Sequence, residues 1–341
     1  GKGGGWMTAE RKCASEETDV IVMTTGVAKR WFFEGELTKE KVGAVMIDEV
    51  HDASGDVEMM TGSITRMFEK GVAPLVVLVS ATLNRKEIEK HFALGEDQHV
   101  KVEGRSYPIE TTYNPNNIPA PKEEKRAYLD QAADVVMQLC GNKSGARDEE
   151  NEVSWVPKNT AGDILVFLPG AREIRDVEER VARSLVANDI RGFELCMYYG
   201  GLEQGERIRV MEMLQQKSEK RRIIIATNAA ETSITFPHVE TVVDTGVRRT
   251  ARYDTHTGTT IQETTTISQD EANQRAGRAG RVAPGACIRL FSEEQFTAFP
   301  KHIEPEINRV NLANELLLLR SYGEDPETFP FMRPPAEGRC P

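Results

Sequence analysis

The sequence predicts an α/β protein with mainly parallel sheets, and three observations predict it. Apolar residues gather in short, β-branched runs that are nearly continuous rather than alternating, the pattern of strands covered on both faces. Amphipathic stretches of helical spacing lie between these runs. Strand and helix then alternate along the chain, as they do where parallel strands are joined by crossover helices.

In order, the first runs are residues 20–23, 42–47 and 75–79. Residues 104–121, rich in Pro and Asn, follow this first set and read as the crossing from a first to a second domain. The next polar stretch, residues 141–162, contains Arg147-Asp148-Glu149-Glu150-Asn151-Glu152 and reads as a mobile surface insertion. Runs resume at residues 164–168, 195–198, 223–226, 239–243 and 287–291. Between the first two of these, Ile174, Val177, Val181 and Leu185 recur at helical spacing, with charged residues on the other face. Ser268 and Glu271 form a capping box that starts a helix just after Ser268. Leu312, Leu316 and Leu319 mark a last helical face within residues 307–323.

A length of 341 residues accommodates two ordinary domains. Hydrophobic and charged contents of 39% and 28% are those of a soluble protein, and no apolar run approaches membrane-spanning length. Cys13, Cys140, Cys196, Cys287 and Cys340 include no Cys-x-x-Cys pair, so neither zinc nor a disulfide framework is expected. Reduced thiols fit an intracellular location, with nucleus, cytoplasm and mitochondrion not distinguished. The net charge of -11 argues against a broad cationic surface, so any nucleic-acid contact is expected in a local groove.

Chemistry concentrates in four segments. In QRAGRAGR, residues 274–281, a helix continuing from Ser268 would place Gln274, Arg278 and Arg281 on one face. Its small residues, Ala276, Gly277, Ala279 and Gly280, would keep the surface low enough for a phosphate chain or a neighbouring domain. Guanidinium groups suit phosphate oxygens because they offer paired donors. Residues 42–47 run into Asp48-Glu49-Val50-His51, where two carboxylates emerge at the carboxyl end of a strand, the place where open parallel sheets bind ligands. One carboxylate there can hold magnesium through water while the next orients the attacking water. Ser80-Ala81-Thr82 and the segment from Thr227 and Asn228 to Ser233 follow two other strands with hydroxyl and amide groups. Such groups cap helices or contact a nucleic-acid backbone.

Taken in order, these segments resemble the DEAH/RHA group of superfamily 2 helicases across nearly the whole chain. Thr24-Thr25-Gly26-Val27-Ala28-Lys29-Arg30 resembles the TTGxLLR motif, DEVH is a DEAH variant, and Ser80-Ala81-Thr82 is the coupling motif. ILVFLPGAREI at 164–174, TNAAETSIT at 227–235 and QRAGRAGR complete the set. Viral DExH helicases are the nearest competitors; Ser-Ala-Thr-Leu-Asn and the alanines of the octet favour the DEAH/RHA group. The resemblance implies two RecA-like, P-loop NTPase-type domains: a partial first domain at 1–105, a second at 106–305, and a helical exit at 306–341 toward a winged-helix region.

The resemblance also implies ATP and Mg2+ as cofactors and RNA as partner, within a ribonucleoprotein and with possible protein activators. Asp48 would coordinate Mg2+, alongside Glu49, which would activate water, with His51 in the same box. Gln274 would place that water, and Arg278 and Arg281 would act as arginine fingers. Ser80, Thr82, Thr232, Asp244, Gly246 and Met211 fall on the nucleotide side. Thr25, Gly26, Arg30, Gly170, Thr227 and Asn228 would line the RNA path. Arg252, Tyr253, Thr257 and Gly258 belong to a strand-separating hairpin, with Gly258 closing its turn.

Several positions depart from the pattern. No Gly-Lys-Ser/Thr phosphate loop occurs in the sequence, and the glycine run at 1–5 reads as a mobile terminus. The expectation is a piece of a longer polypeptide, the alternative being a protein that dispenses with the loop and packs on partners. Asp52 replaces Glu-Arg after the box, Glu206 stands where Gln is common, and Val210-Met211 replaces an aliphatic-Phe pair whose ring stacks on adenine. The expected function is an ATP-dependent RNA helicase or RNP-remodelling ATPase moving 3′ to 5′. The alternative is an inactive helicase-derived assembly factor that binds RNA or protein without hydrolysis.

Overall fold

The computed structural model describes residues 3–80, 85–102, 104, 107–119, 127–141, 154–157, 160–228, 230 and 236–336. Contacts gather the chain into two compact units, one from residues 1–101, 251–261 and 304–341, the other from 102–250 and 262–303.

The first unit begins with β1 (Gly4–Met7), β2 (Lys12–Cys13) and β3 (Val20–Met23) in the order β2-β1-β3, with β1 parallel to β3. Gly4 and Gly5 of the glycine run therefore lie in a strand, residues 1 and 2 being outside the described residues: a Cβ on Gly5 would meet the Cys13 carbonyl at 2.6 Å. After α1 (Thr25–Phe33) come β4 (Ala44–Ile47), α2 (Gly55–Glu69), β5 (Leu75–Leu78), which pairs parallel with β4, and α3 (Arg85–Phe92). The Ser54 hydroxyl caps α2 by accepting from Val57 N, and Asp56 and Glu58 in the first turn suit the positive end of the helix. Val57, Met60, Ile64 and Met67 of α2 pack with Phe32, Ile47, Val50 and Ile88. Among the described residues the opposite face of these small sheets is open: Val20, Val22, Met46 and Leu75 are 61–68% exposed. Burial on both faces, expected of every run, does not hold here.

The second unit contains β6 (Ile109–Tyr113), α4 (Ala127–Gly141), β7 (Asp163–Phe167), α5 (Ala171–Ala187), β8 (Phe193–Tyr198), α6 (Gln204–Gln215), β9 (Arg221–Ala226) and β10 (Val239–Asp244). A ribbon, β11 (Val247–Asp254) with β12 (Thr259–Thr266), whose residues 251–261 count with the first unit, leads to α7 (Gln269–Ala276), β13 (Gly285–Arg289) and α8 (Glu293–Ala298). The six strands run parallel in the order β6-β13-β10-β7-β9-β8. Ile164 and Val166 of β7 face a cluster with Val136, Leu139, Val177 and Val181 of α4 and α5. Leu165 and Phe167 face the other way, into a cluster with Leu214, Ala276 and Ala279. Helices thus cover both faces, which is what a continuous apolar run requires.

Three expectations change. The stretch read as an interdomain crossing holds β6, an edge strand beside β13, missed because Ile109 and Tyr113 are too few apolar residues to make a run. Much of the expected insertion lies outside the described residues, but Val156 within it is buried in the core beside α4, not in a solvated loop. The final segment is not a separate exit. Its 3-10 turn Glu306–Asn308 and α9 (Ala313–Ser321) place Ile307, Leu312 and Leu319 against Met59 of α2, together with Phe329 and Phe331. Arg333 then donates from its backbone N (2.8 Å) and Nη1 (2.6 Å) to Glu58, which is wholly buried, and from Nε to Glu87. Burial pushes the Glu58 carboxyl up despite this arginine.

Candidate functional site

In the first unit β4 delivers the DEVH segment. Asp48 is exposed at the strand's carboxyl end and one of its oxygens accepts from Glu49 N at 2.9 Å. Glu49 follows in the left-handed region (φ 55°), unusual for a residue with a side chain, and starts the 3-10 turn Val50–Asp52. The turn is tied to β5, for Val50 N donates to Val79 O at 3.2 Å. His51 Nδ1 lies 2.8 Å from Ser80 Oγ and 3.3 Å from Glu49 Oε2, so one imidazole bridges the acidic box and the second residue past β5. Thr82 lies outside the described residues.

The first turn of α2 is a hub that the sequence did not announce. Asp56 accepts from Thr25 Oγ1 at 3.1 Å and pairs with Lys29 at 2.5 Å, fixing the start of α1 against it. Thr25, Gly26 and Arg30 are exposed on α1. The signal available beforehand was Ser54-Gly55-Asp56, a cap followed by an acid.

In the second unit the capping box forms as expected: Glu271 N donates to Ser268 Oγ (3.2 Å) and Ser268 N to Glu271 Oε2 (2.8 Å). The helix, however, ends at Ala276, so Gln274 lies on α7 while Arg278 and Arg281 follow in turns, not on one helical face. Gly277 ends it and Gly280 turns inward. A Cβ on Gly280 would meet Tyr107 O at 2.8 Å and Ile109 at 2.7 Å, and Ala279 is wholly buried. Two of the small residues therefore make room for the unit's own core. Arg278 is buried, and Gln274 and Arg281 are half-buried.

Arg275, which motif spacing gave no reason to select, anchors this segment. It is wholly buried, donates from Nη1 to Asp244 Oδ1 at 2.8 Å and to Val247 O at 3.3 Å, and lies over the Phe167 ring. Asp244 is equally buried and also accepts from Gly246 N. Gly246 has φ 73° and touches the Phe291 ring, where a Cβ would come within 2.4 Å. Asp244 and Gly246 thus hold the octet in place from within the core. Met211 is half-buried against the cluster around Leu214.

Gly170 starts α5 and is itself buried: a Cβ there would meet Glu173 Oε2 at 2.7 Å and Arg249 Cζ at 3.2 Å. Arg249 donates to Glu173 at 2.7 Å over this position, so the glycine serves clearance for that pair rather than offering a surface of its own. Thr227 is buried and bonds by its N to Tyr198 O, Asn228 is exposed, and Thr232 lies outside the described residues.

The family model described as the helicase conserved C-terminal domain matches residues 151–283. The chain is 33% identical over 322 residues to ATP-dependent RNA helicase HrpA of Escherichia coli, covering 94% of this chain and 22% of HrpA. It is 30% identical over 334 residues to ATP-dependent RNA helicase HrpB of the same organism, covering 97% and 37%. The crystal structure of the E. coli DEAH/RHA helicase HrpB matches with a TM-score of 0.75 at 29% identity, covering 98% of this chain and 39% of that one. The chain belongs to the DEAH/RHA helicase family. It spans no more than about two fifths of the length of these relatives. The α/β architecture and the RecA-like fold expected from the motifs are those of the family.

The β11–β12 ribbon forms at the residues where a hairpin was expected. Its turn is built on Asp254, whose carboxylate accepts from His256 N and Thr257 Oγ1 at 2.9 Å, and Gly258 closes it at φ 67°. Those bonds hold the Asp254 carboxyl below its usual range. Arg252 and Tyr253 are half-buried, Arg252 reaching Glu304 at 3.1 Å. Among the described residues no group of three or more His, Cys, Asp or Glu is arranged to hold a metal. An exposed Asp48 with one oxygen committed fits a cation carried in by nucleotide phosphates and kept largely hydrated. No helix among the described residues is long and apolar enough to cross a membrane.

Proposed function

We propose that this chain is the greater part of the motor of a DEAH-type, ATP-dependent RNA helicase or RNP-remodelling ATPase, with RNA-stimulated hydrolysis coupled to 3′-to-5′ movement. The observation that carries the reading is the linkage in the first unit: Glu49 in a fixed left-handed turn, His51 bridging to Ser80, and Thr25 joined through Asp56 to the helix that follows the box. That is the wiring an ATPase needs if RNA is to be felt at the acidic pair. HrpA and HrpB carry the name ATP-dependent RNA helicase, which supports ATP and RNA as ligands of the whole protein.

In this reading Asp48 would hold a Mg2+ ion, which would supply charge screening at the phosphates, and Glu49 takes the proton from the attacking water. Gln274 orients that water, while Arg278 and Arg281 stabilise charge on the transferred phosphoryl group. Thr25, Gly26, Arg30, Thr227 and Asn228 grip phosphate and sugar without choosing sequence, with Arg249 rather than the buried Gly170 meeting RNA at the start of α5. Arg252, Tyr253, Thr257 and Gly258 serve strand separation. The second reading, an assembly factor without hydrolysis, rests on Val210 and Met211, which put no aromatic ring where the family stacks adenine.

The full-length protein should hydrolyse ATP faster with single-stranded RNA and displace a duplex bearing a 3′ overhang in preference to a 5′ one. Arg281→Ala should lower turnover by about 10³-fold or more, as loss of an arginine finger does. Equal turnover in Arg281→Ala and wild type would refute the assignment, and RNA binding without nucleotide turnover would select the second reading.

A further inference from the structure

The 3-10 turn at Glu306–Asn308 touches two functional segments that are far apart in sequence. On one side Glu306 N donates to Ala53 O at 2.9 Å, and Glu306 Oε2 accepts from Gly55 N at 2.7 Å. Ala53, in the left-handed region at φ 49°, is the residue that ends the DEVH turn, and Gly55 opens α2. A carboxylate there satisfies one of the free N–H groups of the helix start and suits its partial positive charge. On the other side the same turn holds the ribbon. Tyr253 N donates to Arg309 O at 2.6 Å, Arg309 Nη1 to Ala251 O at 3.3 Å, and Arg309 Nε returns to Glu304 O at 3.1 Å. Arg252 pairs with Glu304 at 3.1 Å. Ile307 between them is 2% exposed and seated against Met59 of α2, so the turn cannot shift without disturbing that helix.

We propose that Glu306 and Arg309 are positioning residues that couple the ribbon to the acidic box: a load on the ribbon at Ala251–Tyr253 is passed through the turn to Ala53 and Gly55, and so to the strand end carrying Asp48 and Glu49. This rests on the helicase reading above and adds to it a second route for RNA control, separate from the Thr25–Asp56 link. Glu306 touches neither nucleotide nor RNA in this scheme. Its loss weakens communication rather than chemistry.

The test uses the full-length protein with Glu306→Ala, Glu306→Gln and Arg309→Ala. It measures turnover with and without single-stranded RNA, RNA affinity, and amide hydrogen exchange over residues 50–57 and 251–261. For Glu306→Ala and Arg309→Ala the stimulation by RNA should fall about tenfold, the size of an ordinary coupling, while basal turnover stays within about twofold and RNA affinity holds. Glu306→Gln should retain most of the stimulation, since its amide oxygen still accepts from Gly55 N. Exchange should rise in both segments together in Glu306→Ala. If that variant does not fold, Arg309→Ala, which leaves the Gly55 bond intact, decides alone. Wild-type stimulation in Glu306→Ala and Arg309→Ala, or faster exchange confined to residues 50–57, would overturn the coupling and leave the helicase reading standing. A wild-type protein indifferent to RNA would overturn both.

Discussion

Leu165 and Phe167 of β7 are wholly covered, whereas Val22 of β3 and Met46 of β4 are each 68% exposed, although all four lie in continuous apolar runs. The difference is in what lies above each strand. In the second unit helices close both faces of the sheet, and each fully buried aliphatic side chain contributes about 1.5–3 kcal/mol. In the first unit only one face of each small sheet is covered among the described residues, so the same kind of run buries less. Stability therefore concentrates in the sheet beside the arginine octet, while the acidic box ends a strand pair covered by α2 on one side and open on the other among the described residues. Segments that must respond to a ligand are drawn from such weakly held places.

The contrast can be broken most forcefully at Arg275. Arg275→Ala should destabilise the second unit by about 3–5 kcal/mol, because it strands the buried Asp244 carboxylate. Urea titration followed by amide exchange over residues 221–226 would show it, and a change no larger than at a surface site would remove Arg275 from the core of the account. Leu165→Ala should lose about 2–5 kcal/mol by the same measurement, through lost burial and a residual cavity. On the open face of the first unit, Val22→Thr and Met46→Gln should shift stability by no more than about 0.5 kcal/mol. Effects as large as that of Leu165→Ala would mean that this face is covered after all.

Thiol labelling sharpens the same comparison without mutation. Cys13 is exposed and should react at the rate of a free thiol. Cys140, Cys196 and Cys287 are buried, with burial pushing Cys196 and Cys287 up to about 12, so they should react only as the second unit opens. The smallest effect concerns pH. Burial raises the Asp163 carboxyl above its ordinary range, although Arg222 N donates to it at 2.9 Å. A raised folded value means its contribution is fully present below the unfolded value and is lost as pH rises through the folded one. Asp163→Asn should therefore flatten the pH dependence of second-unit stability in the acidic range, and an unchanged slope would contradict this.

Much of this was legible in the residues themselves. Runs 164–168 and 223–226, the face of Ile174, Val177, Val181 and Leu185, and the Ser268–Glu271 cap are local patterns, and each formed where its spacing put it. What stayed hidden depended on distant partners. Gly280 reads as a gap for a ligand until Tyr107 and Ile109 are seen filling it, and Arg275 reads as one more surface arginine until Asp244 is found beneath it. Glu306 lies some 250 positions from the glycine it caps, |i−j| = 251, a separation no local pattern reports.

The central claim is that the acidic box is a working hydrolytic site, and Glu49→Gln tests it most directly. In the full-length protein with saturating single-stranded RNA, this change keeps the side chain's size and removes the base. ATP turnover should fall by about 10²-fold or more while RNA binding persists. Turnover equal to wild type would contradict the account.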